Sequence, residues 1–248
     1  MKGKTLESTP LSQSTSSASH DLWLEPTAYS CATWNWLKPT NSPYTLLSTL
    51  SQGFRPVGDP WTITGIQENG FVETLSGLPA YEALMRSFLT LPQDMRQKAM
   101  RNPIVGLAPH RQGEVLKHKE MLFRGILRAD PQQGWLAFGA DTWVGQKIQF
   151  HMRDAKIADV DLDESLEQLH ARCGTAHALA GILCSCHSRG NILFGTRDHD
   201  AEMVAEQFGT LPLTGIFCNG SVSSEEAKPM CRAFAASVAL FMEAMPDN

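Results

Sequence analysis

No run of apolar residues in the chain approaches the roughly 18 that a membrane-spanning helix needs. The first twenty residues also lack the apolar core of a secretion signal. Basic residues form no stripe, and the net charge is -5, which argues against duplex nucleic acid as a partner. Six cysteines spread over 248 residues are too sparse for the disulfide framework of a small secreted domain. These absences point to a cytoplasmic chain with reduced thiols and neither a membrane nor a nucleic-acid partner.

Catalytic signatures are missing as well. The sequence contains no Walker loop, no G-x-G-x-x-G, no H-E-x-x-H and no G-x-S-x-G elbow. Cys184, Cys186, His187, His199 and Cys218 are the one group with metal or thiol chemistry in reach. The Cys-x-Cys-His spacing is not that of a structural zinc site, which prefers two to four residues between paired cysteines. On a strand, Cys184 and Cys186 share a face, where cysteine commonly acts as a small hydrophobe. A cysteine hydrolase would need a thiol beside an oriented histidine, and no such set stands out. The chain therefore reads as a non-enzyme with no metal ligands and no catalytic residues.

What is present is organised around residues 178–220. Ala178 to Cys186 is nearly all small or apolar, as in a strand buried on both faces. It stops at His187-Ser188-Arg189-Gly190. From Asp198 the period becomes helical, with Ala201, Val204, Ala205 and Phe208 on one face and Gly209 at the C-terminus. Pro212 blocks continuation, and Leu213 to Cys218 reads as a second buried strand. Strand, helix, strand with short joints predicts a βαβ unit with two parallel neighbours. Ligands of parallel sheets sit outside the carboxyl ends of the strands. Those ends carry Cys186, His187, Ser188, Arg189 and Gly190 on one strand, and Phe217, Cys218, Asn219, Gly220 and Ser221 on the other. With the start of the following helix and the Arg189 charge, that edge suits a small anion.

The rest predicts an α/β fold with a mixed sheet. Residues 1–20 are Ser/Thr-rich and expected to be a disordered tail. Residues 21–50 read as an irregular aromatic arm with Trp23, Trp34 and Trp36 among prolines. Residues 51–58 read as a turn-rich joint, followed by a hairpin at Asn69-Gly70 and a helix starting at Pro79. Ile104–Ala108, Met121–Leu127, Trp135–Phe138 and Lys147–Met152 read as strands. In the last, Ile148, Phe150 and Met152 alternate with Gln149, His151 and Arg153, so one face is buried and the other meets water or a cavity. Asp161-Leu162-Asp163-Glu164 predicts a charged helix start, Ser221–Pro229 a polar loop, and Phe234–Met242 a closing strand.

Four motifs in order resemble one family. They are Ser51-Gln-Gly-Phe-Arg-Pro-Val-Gly, Gly145-Gln-Lys-Ile-Gln-Phe-His-Met-Arg-Asp, Cys186-His-Ser-Arg-Gly followed by Leu193-Phe-Gly, and Pro212-Leu-Thr-Gly-Ile-Phe-Cys-Asn-Gly. The chain resembles the FIST (F-box and intracellular signal transduction) sensory domain, chiefly its C-terminal half. The resemblance implies a small-ligand sensor for amino acids or related anions over residues 51–245. It makes 21–50 the remnant of an N-terminal half. It adds Phe194 and Gly195 to the ligand-binding residues and implies a signalling or ubiquitin-ligase-type protein partner. An adaptor without ligand, as in F-box-type members, and a haem-based gas sensor are the alternatives; no other cofactor is implied. Where the family reads Gly-Glu-Ile and His-Gly, this chain has Gly220-Ser221-Val222 and Arg232-Ala233.

Overall fold

The computed structural model describes residues 31–33, 44–109, 121–225 and 228–243. The expected Ser/Thr-rich tail lies outside the described residues, as does the aromatic arm apart from 31–33 and 44–50. In chain order the strands and helices are β1 (Cys31–Thr33), β2 (Tyr44–Ser51), β3 (Phe54–Ile66), β4 (Val72–Leu75), β5 (Leu78–Pro79), α1 (Ala80–Leu89), α2 (Gln93–Arg101), β6 (Ile104–Leu107), β7 (Leu122–Ala129), β8 (Leu136–Phe138) and β9 (Lys147–Arg153). They continue with α3 (Ala155–Cys173), β10 (Ala178–Cys186), α4 (Gly190–Phe194), α5 (His199–Phe208), β11 (Leu213–Cys218), β12 (Gly220–Glu225), β13 (Lys228–Arg232) and β14 (Ala236–Glu243). The fold is α/β with both parallel and antiparallel pairings.

Six strands close on themselves. The antiparallel pairings β3–β9, β9–β6, β6–β7, β7–β8, β8–β4 and β4–β3 form a ring, and β5 adds to β4. The period-2 alternation of β9 sends Ile148, Phe150 and Met152 into one core with Val57, Ile63 and Leu136. Leu84 and Phe88 of α1 join that core, each side chain contributing about 1.5–3 kcal/mol on burial. The sequence places a turn-rich joint at 51–58, but β3 has already begun at Phe54. The chain turns at Gly53, at φ +63°, where an added Cβ would lie 2.2 Å from the Cα of Ala158, and β3 is irregular again at Gly58, at φ +66°. Helix α3 thus packs directly on backbone at Gly53.

The second sheet has the order β11-β10-β14-β2. Strands β10 and β11 are parallel neighbours, in register from Gly181 opposite Leu213 to Cys186 opposite Cys218, as the βαβ pattern predicts. Leu183 of β10 and Val238, Leu240 and Met242 of β14 pack under Leu162, Leu166 and Leu169 of α3 and Val204 of α5. Tyr44–Ser51, which lies within the 21–50 span read as an arm except for Ser51, pairs along its whole length with β14.

Three local expectations are corrected. Helix α3 starts at Ala155, not at the acidic cluster, because the Asp154 carboxylate accepts from the backbone N–H groups of Lys156 and Ile157 and caps it there. Asp161 lies within that helix and accepts from Ser51 Oγ at 2.6 Å and from the Gln52 N–H at 2.9 Å, tying α3 to the β2–β3 joint. Strand β11 is not buried: among the described residues it has a neighbour on one side only, and Ile216 and Phe217 are 58% and 54% exposed. The expected polar loop 221–229 is instead mostly a β12–β13 ladder, with β1 parallel to β12.

Candidate functional site

The chain reverses tightly after β10. The Cys186 N–H donates to the Ala235 carbonyl (2.8 Å), the His187 N–H to the Cys218 carbonyl (2.7 Å), and the Arg189 N–H back to the Cys186 carbonyl (2.8 Å). This brings Cys186, Ser188, Arg189 and Gly190 together with the end of β11. Gly190, at φ +52°, sits against Phe217, whose ring would lie 3.5 Å from an added Cβ. Phe194 lies under the Arg189 guanidinium, 5.2 Å from centroid to Cζ. His187, Gly195 and Asn219 are exposed, Gly195 serving as the left-handed C-cap of α4. Gly220 is buried and opens β12, while the Ser221 backbone pairs with Ala32 and Arg232.

Arg189 follows a turn yet does not lie in solvent. It is 1% exposed, and its Nε and Nη2 donate to Asp200 Oδ2 and Oδ1 at 2.8 and 2.9 Å. Asp200 also accepts from Ser185 Oγ and lies 3.1 Å from His199 Nδ1. Burial pushes the Asp200 carboxyl up, but hydrogen bonds and charge from Arg189 more than offset this and hold it below the usual carboxylate range. The His199 ring stacks on Phe194 at 3.5 Å. Two of the three Arg189 nitrogens are therefore committed to a clamp between the β10 turn and α5. The third, Nη1, is buried with no hydrogen-bond partner among the described residues. The start of α5 already carries Asp198, Asp200 and Glu202, so its positive dipole end is balanced by carboxylates.

The polar face of β9 is graded, with Lys147 exposed, Gln149 and Arg153 half-buried and His151 turned inward. His151 is fully buried and meets Phe123 edge-on at 4.9 Å, its Nδ1 2.9 Å from the Gln149 carbonyl. Arg153, at the end of the same strand, stacks over Phe234 with Cζ 5.3 Å from the ring centroid. Burial lowers the Arg153 pKa, the Cys186 thiol opposes this, and the nearby Arg189 charge adds to it. Sequence reasoning passed over Arg153, Asp200 and Phe234; the first lies in the Gly145–Asp154 motif, which was its only signal. Arg232 is fully buried, with Nη1 donating to the Met121 carbonyl at 2.8 Å. Burial, with Cys218 nearby, raises the Cys184 thiol to about 11. No cluster among the described residues has three or more side chains able to hold a metal ion. A shallow depression of about 200 Å³ opens between β11 and α5, lined by Leu183, Ser185, Asp200, Leu213 and Phe217 among others.

The FIST C domain pattern matches residues 78–224. An uncharacterized protein of Mycobacterium tuberculosis is 32% identical over 197 residues, covering 79% of this chain and 51% of its own length. An uncharacterized protein of Mycobacterium bovis is 32% identical over 196 residues, again 79% of this chain and 50% of its own. An F-box/LRR-repeat protein of Arabidopsis thaliana is 28% identical over 105 residues, 41% of this chain and 20% of its own. The chain thus spans about half the length of the mycobacterial relatives it matches.

Proposed function

Because the chain belongs to the FIST C domain family, a family of sensory and signal-transduction proteins, we propose that it binds a small anionic ligand and passes the occupancy of that site to a protein partner. The ligand class is amino acids or related carboxylates. The site lies at the carboxyl edge of β10 and β11, around Cys186–Gly190 and Phe217–Gly220. One observation carries this reading: Arg189 Nη1 is buried at that edge without a partner, although its other two nitrogens are satisfied. An unmet charged donor is costly in a folded interior, and a ligand oxygen would satisfy it. The Arg189–Asp200 pair supplies the relay, since it ties the edge to α5. The whole chain's output partner is of the signalling type, and the likeness to an F-box/LRR-repeat protein supports a partner of that kind.

The test is a titration of the purified protein against an amino-acid panel, read by calorimetry. Saturable binding of at least one member, lost on Phe217→Asp, is the expected result. Absence of binding across the panel would favour a ligand-free adaptor. Native mass spectrometry of protein taken from its own host distinguishes a retained carboxylate from haem.

A further inference from the structure

Two arginines, Arg189 buried and Arg153 half-buried, lie near enough to feel each other's charge across the seam between the six-strand ring and the second sheet. Arg153 ends β9 of the ring, and Arg189 follows β10 of the other sheet. A short path joins them. Arg153 stacks on Phe234, which directly precedes Ala235, and the Ala235 carbonyl accepts from the Cys186 N–H. The Cys186 carbonyl in turn accepts from the Arg189 N–H.

Each guanidinium has one terminal nitrogen that is buried and unpaired, Nη2 of Arg153 and Nη1 of Arg189. Their surroundings differ in charge. Arg189 is neutralised by Asp200. Arg153 has no ion pair with any carboxylate among the described residues. A guanidinium cannot relieve this by losing its proton, so an oxyanion would satisfy the donor that the chain leaves unpaired. Two N–H donors on planar groups also match the oxygens of a carboxylate or a phosphate.

We infer that Arg153 and Arg189 together hold a small oxyanion, a carboxylate or phosphate group, at the seam of the two sheets. The inference rests on the ligand-binding reading above and deepens it. It adds Arg153 as the principal charge, with Phe234 holding its guanidinium flat, and makes Arg189 the second donor. The anion would bridge the ring and the second sheet, so its arrival would bear on how the two halves sit together.

Phenylglyoxal modification of the full chain tests this, with the rate at Arg153 followed by peptide mass spectrometry. Inorganic phosphate and acetate are added in separate arms at constant ionic strength. Slower modification of Arg153 in one arm is expected, and the arm that protects at lower concentration names the group. Arg153→Gln spares the Arg189–Asp200 clamp and should fold. It should raise the concentration of that ion needed for half-maximal thermal stabilisation by roughly ten- to a hundred-fold. An unchanged modification rate in both arms overturns the inference, as does equal stabilisation of wild type and Arg153→Gln. If amino acids bind but Arg153 is unprotected, the seam site fails and the ligand reading stands. If an ion protects Arg153 but no amino acid binds, the ligand reading fails and the seam site stands.

Discussion

Arg189 and Asp200 face each other as a parallel two-bond pair, 2.8 and 2.9 Å long, buried between the β10 turn and the start of α5. Their separation in sequence is eleven residues, and between them lie α4, its flanking turns and His199, the first residue of α5. The pair therefore closes the crossover like a clasp. Removing one partner leaves the other charged and buried, which typically costs about 3–5 kcal/mol. Asp200→Asn should lower the melting temperature strongly. Arg189→Ala should do so as well, in contrast to the small effect expected of a solvated charge. Arg189→Lys should rescue only in part, because an ammonium cannot fork across both oxygens. Thermal melts of the three variants check this.

The same pair sets an acid dependence. The folded Asp200 carboxyl titrates below its unfolded value, so its stabilisation is fully present above the unfolded pKa of about 3.9. It is lost as the pH falls through the folded pKa. The stability gap between wild type and Asp200→Asn should be constant near neutrality and shrink below about pH 4. Urea unfolding at a series of pH values measures it; a gap that widens in acid would contradict the assignment.

Gly53 should be intolerant of any side chain. A Cβ there would lie 2.2 Å from a backbone atom of α3, and the left-handed φ adds about 1–2 kcal/mol for an alanine. Gly53→Ala is expected to yield insoluble or unfolded protein. Gly190→Ala, with 3.4 Å to its nearest neighbour, should carry little beyond the backbone strain. Comparing soluble yield and melting temperature of the two separates the contributions.

Cys184 should resist thiol reagents in the folded state. Its thiol titrates near 11 and its side chain is buried, so the reactive thiolate is scarce at pH 8. Labelling followed by peptide mass spectrometry should find Cys184 modified only after denaturant is added. Cys173, also raised by burial, should behave alike.

The parts legible in the sequence were those decided by neighbours in sequence. The alternation of Ile148, Phe150 and Met152 reveals β9, and Pro79 and Pro92 mark the starts of α1 and α2. The parallel pairing of β10 and β11 followed from the helical period between them. What was hidden depended on distant partners. Tyr44–Ser51 becomes a strand because β14, almost two hundred residues later, pairs with it. Asp161 looks like a cap until Ser51 and Gln52 are seen donating to it. Leu213–Cys218 has the composition of a core strand, yet composition does not say whether a strand has one neighbour or two. Arg189 showed its position at the site edge, but its burial depended on Asp200, and Arg153 looked like an ordinary outward residue of an alternating strand.

The closed ring has a further effect on how the molecule can meet other chains. Each of its six strands has a hydrogen-bonding neighbour on both sides, so the ring presents no row of vacant peptide groups to recruit a foreign strand. The second sheet ends in β11 on one side and β2 on the other. Among the described residues, augmentation by a visiting polypeptide, productive or pathological, is thereby left to the open edges outside the ring, those of β11 and β2 and those of the β1–β12–β13 ladder.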